Sequence, residues 1–184
     1  VEQFEALLGP VQQWQAEWKW DGIRAQVIKR DGRLWIWSRG EELVTERFPE
    51  LDSLIPGLHD GTVIDGEIVA WKSAPTGTEK AFEPAAQPFA LLQQRIGRKN
   101  LDRKILDEVP VVLLAFDLLE WQGEDWRSRS QAERRRQLEW VVGHCANPRV
   151  RLSPLLTGDT WLDLARQREA SRSLGVEGLM LKAS

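Results

Sequence analysis

The stretch Glu17-Trp18-Lys19-Trp20-Asp21-Gly22-Ile23-Arg24 alternates charged and aromatic side chains up to a turn signal at Asp21-Gly22. In a strand, successive side chains point to opposite faces. Glu17, Lys19 and Asp21 therefore fall on one surface and Trp18 and Trp20 on the other. From Ile23 to Lys29 the apolar and polar positions alternate again up to a second turn at Asp31-Gly32. Leu34 to Trp37 follows, so the segment reads as strand, turn and β-hairpin. A lysine used as a nucleophile must shed its proton near neutral pH, which desolvation or a neighbouring cation such as Arg24 promotes. Taken alone, Lys19 fits a solvated hairpin surface better than it fits a nucleophile. Asp21 reads as structural, through an Asx-type bond within its own turn.

Outward from this hairpin, Phe48, Leu51, Leu54 and Ile55 have helical spacing over Arg47 to Ile55, with Pro49 acceptable in a first turn. Val63 to Trp71 is strand-like. Lys72 to Gln87 shows no periodicity and reads as an exposed loop. Short helices are expected over Pro88 to Ile96 and Asp102 to Leu106, and a central strand over the apolar run Val111 to Leu119. Ser130-Gln131-Ala132-Glu133 is a capping-box sequence that opens a helix to about Val142. Asp159 is placed to cap another that runs to about Leu174, before Gly175. Val176 to Lys182 returns to strand. Strands and helices mix without a βαβ repeat, which implies an α+β fold of mainly antiparallel β-sheets flanked by helices.

The 184 residues suffice for one domain with a continuous core, at 42% hydrophobic and 29% charged residues. A net charge of -3 gives no global footprint for nucleic acid, although charge can still gather on one face. The single cysteine, Cys145, excludes an internal disulfide and reads as a small buried residue in a reducing compartment. His59 and His144 are not spaced as ligands. No apolar run approaches bilayer length, so no membrane association is expected and the cytoplasm is the plain location. The ten tryptophans, with no tyrosine, read as the aromatic core. Arg134-Arg135-Arg136, with Arg127 and Arg129, reads as a solvated helix face or as a contact to a nucleic-acid backbone.

Lys19-Trp20-Asp21-Gly22-Ile23-Arg24 has the K-x-D-G-x-R form of the covalent nucleotidyltransferases. Ser38-Arg39-Gly40-Glu41, Asp65-Gly66-Glu67, Phe116-Asp117 and Glu177-Gly178-Leu179-Met180-Leu181-Lys182 follow in that superfamily's order. From about Ala16 to Lys182 the chain resembles the adenylation domain of ATP-dependent DNA ligases, which have a nucleotidyltransferase fold akin to ATP-grasp.

That resemblance implies roles for the matched positions. Lys19 would attack the ATP α-phosphate to give lysyl-AMP. Glu17 would accept from the adenine amino group, and Phe116 would stack on the purine. Arg24 and Arg39 would hold ribose or phosphate oxygens and later the 5′-phosphate of a DNA nick. Glu67 would bind ribose or, with Glu177, a magnesium or manganese ion, because hard cations take oxygen ligands. Lys182 would contact phosphate, although strict alternation puts it on the face opposite Glu177 unless a bulge intervenes. Read singly, Glu67 or Glu177 is a paired surface acid, Arg39 a loop cation and Phe116 a core aromatic.

The implied partners are ATP and nicked double-stranded DNA, acted on by a monomer. Residues 1–184 read as an adenylation domain cut after the fourth motif, without the later lysine motif, the C-terminal OB domain or an N-terminal DNA-binding domain. An RNA ligase or a capping guanylyltransferase shares the lysine motif, and a non-catalytic nucleic-acid-binding domain would keep the fold alone. An NAD-dependent ligase would typically lack an arginine at Arg24.

Overall fold

Alternation of buried and exposed positions begins the fold at β1 (Trp14–Trp20), β2 (Ile23–Arg30) and β3 (Arg33–Ser38), with turns at the two Asp-Gly pairs. The computed structural model describes residues 3–72 and 86–184. Ala25 and Val27 of β2 and Leu34 and Ile36 of β3 point into the core, whereas Arg24, Gln26, Trp35 and Trp37 face outward. Most of the loop expected over Lys72 to Gln87 lies outside the described residues.

Two sheets result. In the larger, β3 pairs with β2, β2 with β4 (Thr62–Ala70), and β4 with β5 (Val111–Trp121), all antiparallel. β6 (Glu124–Asp125) pairs beside β5, and β7 (Val150–Leu152) joins β5 in parallel. In the smaller sheet, β1 lies between β8 (Leu155–Leu156) and β9 (Val176–Ala183), antiparallel to both. One face of the larger sheet carries the main core. There Val27, Ile36, Ile64, Ile68 and Leu113 pack with Leu51, Leu54, Leu92, Leu138 and Val141 from the flanking helical segments. A second cluster, Trp18, Trp20, Val69, Trp71, Val112, Leu114 and Val176, ties the two sheets together. Burial of such side chains stabilises by roughly 1.5–3 kcal/mol each. The sheets therefore hold a fixed relation across the cleft between them.

The helices are α1 (Phe4–Leu8), α2 (Phe89–Ile96), α3 (Arg103–Glu108), α4 (Gln131–Cys145), α5 (Trp161–Glu169) and α6 (Ser171–Leu174). Ser130 and Glu133 form the expected capping box on α4, which runs three residues beyond Val142. Three expectations need correction. The helix over Arg47 to Ile55 is two 3-10 segments, Thr45–Arg47 and Pro49–Gly57, the second containing Pro56, which has no N–H to give an α-helical ladder. The cap of α5 is Thr160 rather than Asp159: its hydroxyl accepts from the Asp163 amide while the Asp163 carboxylate accepts from the Thr160 N–H. That helix breaks at Ala170, and α6 then ends at Gly175, φ 67°.

The tryptophans divide. Trp18, Trp20, Trp71, Trp121 and Trp161 are buried, but Trp35, Trp37 and Trp140 are exposed, so the residue type alone overstated the core. Cys145 is buried, as expected, and burial pushes its thiol pKa up. No helix among the described residues is long and apolar enough to cross a membrane.

Candidate nucleotide-binding site

The cleft between the sheets is a pocket of about 650 Å³, within the range that holds a small-molecule ligand. Glu17, Lys19, Arg24, Arg39, Glu67, Phe116, Glu177 and Lys182 all line it, so the structure brings together every site residue expected from the sequence.

β1 supplies the floor and the amine. Glu17 is buried on the pocket face, and Lys19 lies two residues on, near the strand's end, with its side chain about half exposed. Opposite them, β9 is out of step: Gly178 pairs with Lys19 but Val176 with Trp20, which leaves Glu177 as an extra residue. Gly178, at φ 154°, takes a backbone conformation that side chains disfavour. This bulge swings Glu177 onto the side of Lys19, with which it forms an ion pair, while Met180 and Lys182 remain on the same face by ordinary alternation. The bulge removes the conflict between Glu177 and Lys182 that strict alternation poses.

Lys182 donates to Glu17 Oε1 at 2.7 Å and to the Phe116 carbonyl at 3.0 Å. Glu17 Oε2 is buried and has no hydrogen-bond partner among the described residues. A buried carboxylate oxygen left unpaired costs stability, which a donor on a bound ligand would recover. Phe116 is only partly buried. Its ring has Lys182 Nζ 4.6 Å and Arg24 Cζ 5.7 Å from the centroid, so it is a pocket wall and not a core aromatic.

The larger sheet supplies the guanidinium groups and more acid. The Arg24 Nε and Nη2 donate to Asp65 at 3.3 and 2.7 Å, and this bond raises the Arg24 pKa. Asp65 is buried, so Arg24 is a fixed cation with half its side chain still accessible. Asp65 stands two residues before Glu67 on the same strand face. The period of two could have assigned it as the residue that orients Arg24. Arg39 is exposed at the rim and has no ion pair among the described residues.

Burial pushes the Glu67 carboxyl up to about 7, with Asp65, Glu177 and Asp21 adding to the rise and Arg24 opposing it. The Asp21 carboxyl is also raised, by burial and then by Glu177, with Lys19 opposing. The Asx-type bond expected of Asp21 is not among the side-chain hydrogen bonds of the described residues, and its carboxylate faces the pocket instead. Asp21, Glu67 and Glu177 thus make a mutually repelling set that favours a cation. The described residues hold no preformed cluster of three or more His, Cys, Asp or Glu ligands for a metal. Such a set suits magnesium, which usually takes one or two protein carboxylates together with substrate phosphates.

Of the basic run of α4, Arg134 and Arg135 are committed inside the protein, and Arg136 alone of the three is exposed. Arg134 donates to Asp117 at 2.8 and 3.0 Å, and Arg135 is buried against Glu139 and the Ser153 carbonyl. Arg127 and Arg129 pair with Asp125 and Glu124. Sequence spacing missed Gln131, Met180 and Asp117 as pocket residues; Asp117 and Met180 sat inside recognised motifs, but Gln131 lies in none of them.

This architecture is that of a nucleotidyltransferase domain. A mycobacterial DNA ligase D, solved in complex with ATP and MES, aligns over 94% of this chain and 49% of its own length, with 29% identity and a TM-score of 0.69. The chain belongs to the family described as the ATP dependent DNA ligase domain, which matches residues 2–184. A DNA ligase of Aeropyrum pernix is 38% identical over 173 residues, which is 91% of this chain and 26% of that relative. The chain thus spans about a quarter of that relative's length. An archaeal ATP-dependent RNA ligase aligns over 92% of this chain and 39% of its own length, with 17% identity and a TM-score of 0.52, a likeness of fold alone.

Proposed function

We propose that this chain is the part of an ATP-dependent DNA ligase in which Lys19 becomes adenylated. The observation that carries the reading is the placement of Lys19 two residues from the unpartnered buried oxygen of Glu17, in one pocket with Phe116. The adenine amino group donates to Glu17 Oε2, the purine stacks on Phe116, and the α-phosphate then lies by Lys19. The Lys19 amine, having lost its proton, forms a bond to the α-phosphorus as the bond to pyrophosphate breaks, leaving a phosphoramidate. Arg24, fixed by Asp65, and Arg39 hold phosphate oxygens by charge-assisted bonds.

Glu67 and Glu177 are the residues that would hold a divalent ion, magnesium or manganese. When bound, it offsets charge on the phosphates. Lys19 would have to release Glu177, its ion-pair partner, before attacking the phosphate. The acceptor is the 5′-phosphate of nicked double-stranded DNA, met at the rim by Arg39, and the 3′-hydroxyl then displaces AMP. A monomer acting in the cytoplasm fits this reading. By resemblance, a further lysine motif and an OB domain complete the catalytic unit.

Intact-mass spectrometry tests the proposal, on this chain and on a version extended at its C-terminus, after incubation with ATP and Mg²⁺. A gain of one AMP, absent in Lys19→Arg and discharged by nicked duplex DNA, is expected. Labelling by GTP but not ATP would point to a capping guanylyltransferase. An adduct discharged only by nicked RNA would make it an RNA ligase, whereas DNA binding with no adduct on the extended protein would leave a binding domain.

A further inference from the structure

Gln131 is the first residue of α4, is 7% exposed and lines the nucleotide pocket. Its Oε1 accepts from the Arg134 Nη2 at 2.6 Å. Arg134 is itself held by both oxygens of Asp117, at 2.8 and 3.0 Å, and by the Arg129 carbonyl at 2.6 Å. Because a guanidinium only donates, this contact fixes which end of the amide is oxygen. The Nε2 group is thereby turned away from Arg134, and it is buried with no hydrogen-bond partner among the described residues. Among the described residues' buried side-chain polar atoms without a partner, Gln131 Nε2 and Glu17 Oε2 are the two whose residues line this cleft. One is a donor and the other an acceptor.

We propose that Gln131 is a specificity-determining residue that donates from Nε2 to N1 of adenine while Glu17 Oε2 accepts from the neighbouring N6 amino group. The inference rests on the adenylation reading above and extends it to a residue outside every motif. Adenine presents an amino donor beside the N1 acceptor, which complements this pair. Guanine presents an O6 acceptor beside an N1–H donor, so acceptor would meet acceptor and donor meet donor. A site whose buried polar groups are left unpaired by the wrong ligand rejects it far more strongly than a merely apolar pocket does. The Asp117–Arg134–Gln131 chain also links the amide to the backbone beside Phe116, so one hydrogen-bonded unit spans the stacking wall and the edge-reading donor.

The test is calorimetric titration of the chain with ATP and with 1-deaza-ATP, in which a C–H replaces N1. A chelator is present so that binding is read without group transfer. The expected result is roughly tenfold weaker binding of 1-deaza-ATP, consistent with one buried donor left unpaired. In Gln131→Leu the two nucleotides should bind with equal affinity, near that of 1-deaza-ATP for the unaltered chain. Equal binding of the two nucleotides by the unaltered chain, as when a water satisfies Nε2, would overturn the role of Gln131 and leave the ATP site standing. Persistence of the gap in Gln131→Leu would overturn it as well. No ATP binding at all would sink the adenylation reading together with this inference.

Discussion

Lys182 and Glu17, 165 residues apart in sequence, meet across β1 and β9 with Nζ 2.7 Å from Oε1, and so join the first and last motifs at the pocket floor. The Glu17 carboxylate is buried, and the next cation, Arg135 Nη1, is 3.8 Å away. Removing Lys182 would leave a buried charge poorly compensated, which is far costlier than losing an exposed pair. Lys182→Met should therefore lower unfolding stability by about 2–3 kcal/mol in urea, and it should also weaken ATP binding. A variant as stable as the parent would show that Arg135 alone suffices for Glu17.

Glu67 gives a pH dependence with a definite sign. Its carboxyl is pushed up to about 7 from the ordinary 4.5, chiefly by burial. The folded state therefore binds this proton more tightly than the unfolded chain. The stability it contributes is fully present below about 4.5 and is lost as pH rises through about 7, by at most about 3 kcal/mol. Denaturation at intervals from pH 4.5 to 8 should show this loss, and Glu67→Gln should remove it. A bound divalent ion needs the ionised form, so Mg²⁺-dependent adduct formation should rise over the same window. An identical pH slope in Glu67→Gln would assign the effect to another group.

Much of this site was legible in the sequence because strand alternation is a strict local rule. It placed Glu17 and Lys19 on one face and Trp18 and Trp20 on the other, and five motifs marked positions that converge in the pocket. What escaped depends on contacts made at long range. Glu139, one turn on from Arg135, is a local partner, but the burial that separates Arg134 and Arg135 from the exposed Arg136 comes from partners on β5, β1 and the segment after β7. Leu51 and Leu54 of Pro49–Gly57 are buried in the core as helical spacing predicts, but that spacing alone does not separate a 3-10 helix from an α-helix. Gln131 looked like an ordinary capping-box position until its orphan amide was placed in a pocket.

Gly22 and Gly143 should respond oppositely to alanine. A Cβ on Gly22 would lie 2.4 Å from the Ile68 carbonyl oxygen and 3.0 Å from Glu67 Cγ, too close without backbone movement. Gly22→Ala should cost about 2 kcal/mol or more and, by displacing Glu67 and the Lys19 turn, should slow adduct formation. Gly143 is inside α4 with open space around its Cβ position and no positive φ. Gly143→Ala should raise stability by about 0.5–1 kcal/mol with adduct formation unchanged. Thermal melts of both variants, paired with mass spectra, check this. An unaltered melting temperature in Gly22→Ala would show that the turn gives way more easily than the close approach indicates.

The arginine run separates structural from nucleic-acid roles. Arg134 and Asp117 are each mostly buried, and their bond raises the Arg134 pKa, so Arg134→Gln strips Asp117 of its counter-charge, leaving it the Leu118 amide, and takes the guanidinium donor from Gln131 Oε1. A loss of roughly 2–3 kcal/mol is expected. Arg136 is exposed, and Arg136→Gln should change stability by less than about 0.5 kcal/mol. Cations that touch a DNA backbone release counterions on binding, so each such contact contributes to the slope of affinity against salt. Because Arg134 and Arg135 are committed inside the protein, Arg134→Gln should leave that slope unchanged. Arg39→Gln, at the pocket rim, should reduce it by about one. Nicked-duplex binding measured from low to moderate salt distinguishes the two. A lower slope in Arg134→Gln with an unchanged one in Arg39→Gln would move the DNA contact to α4.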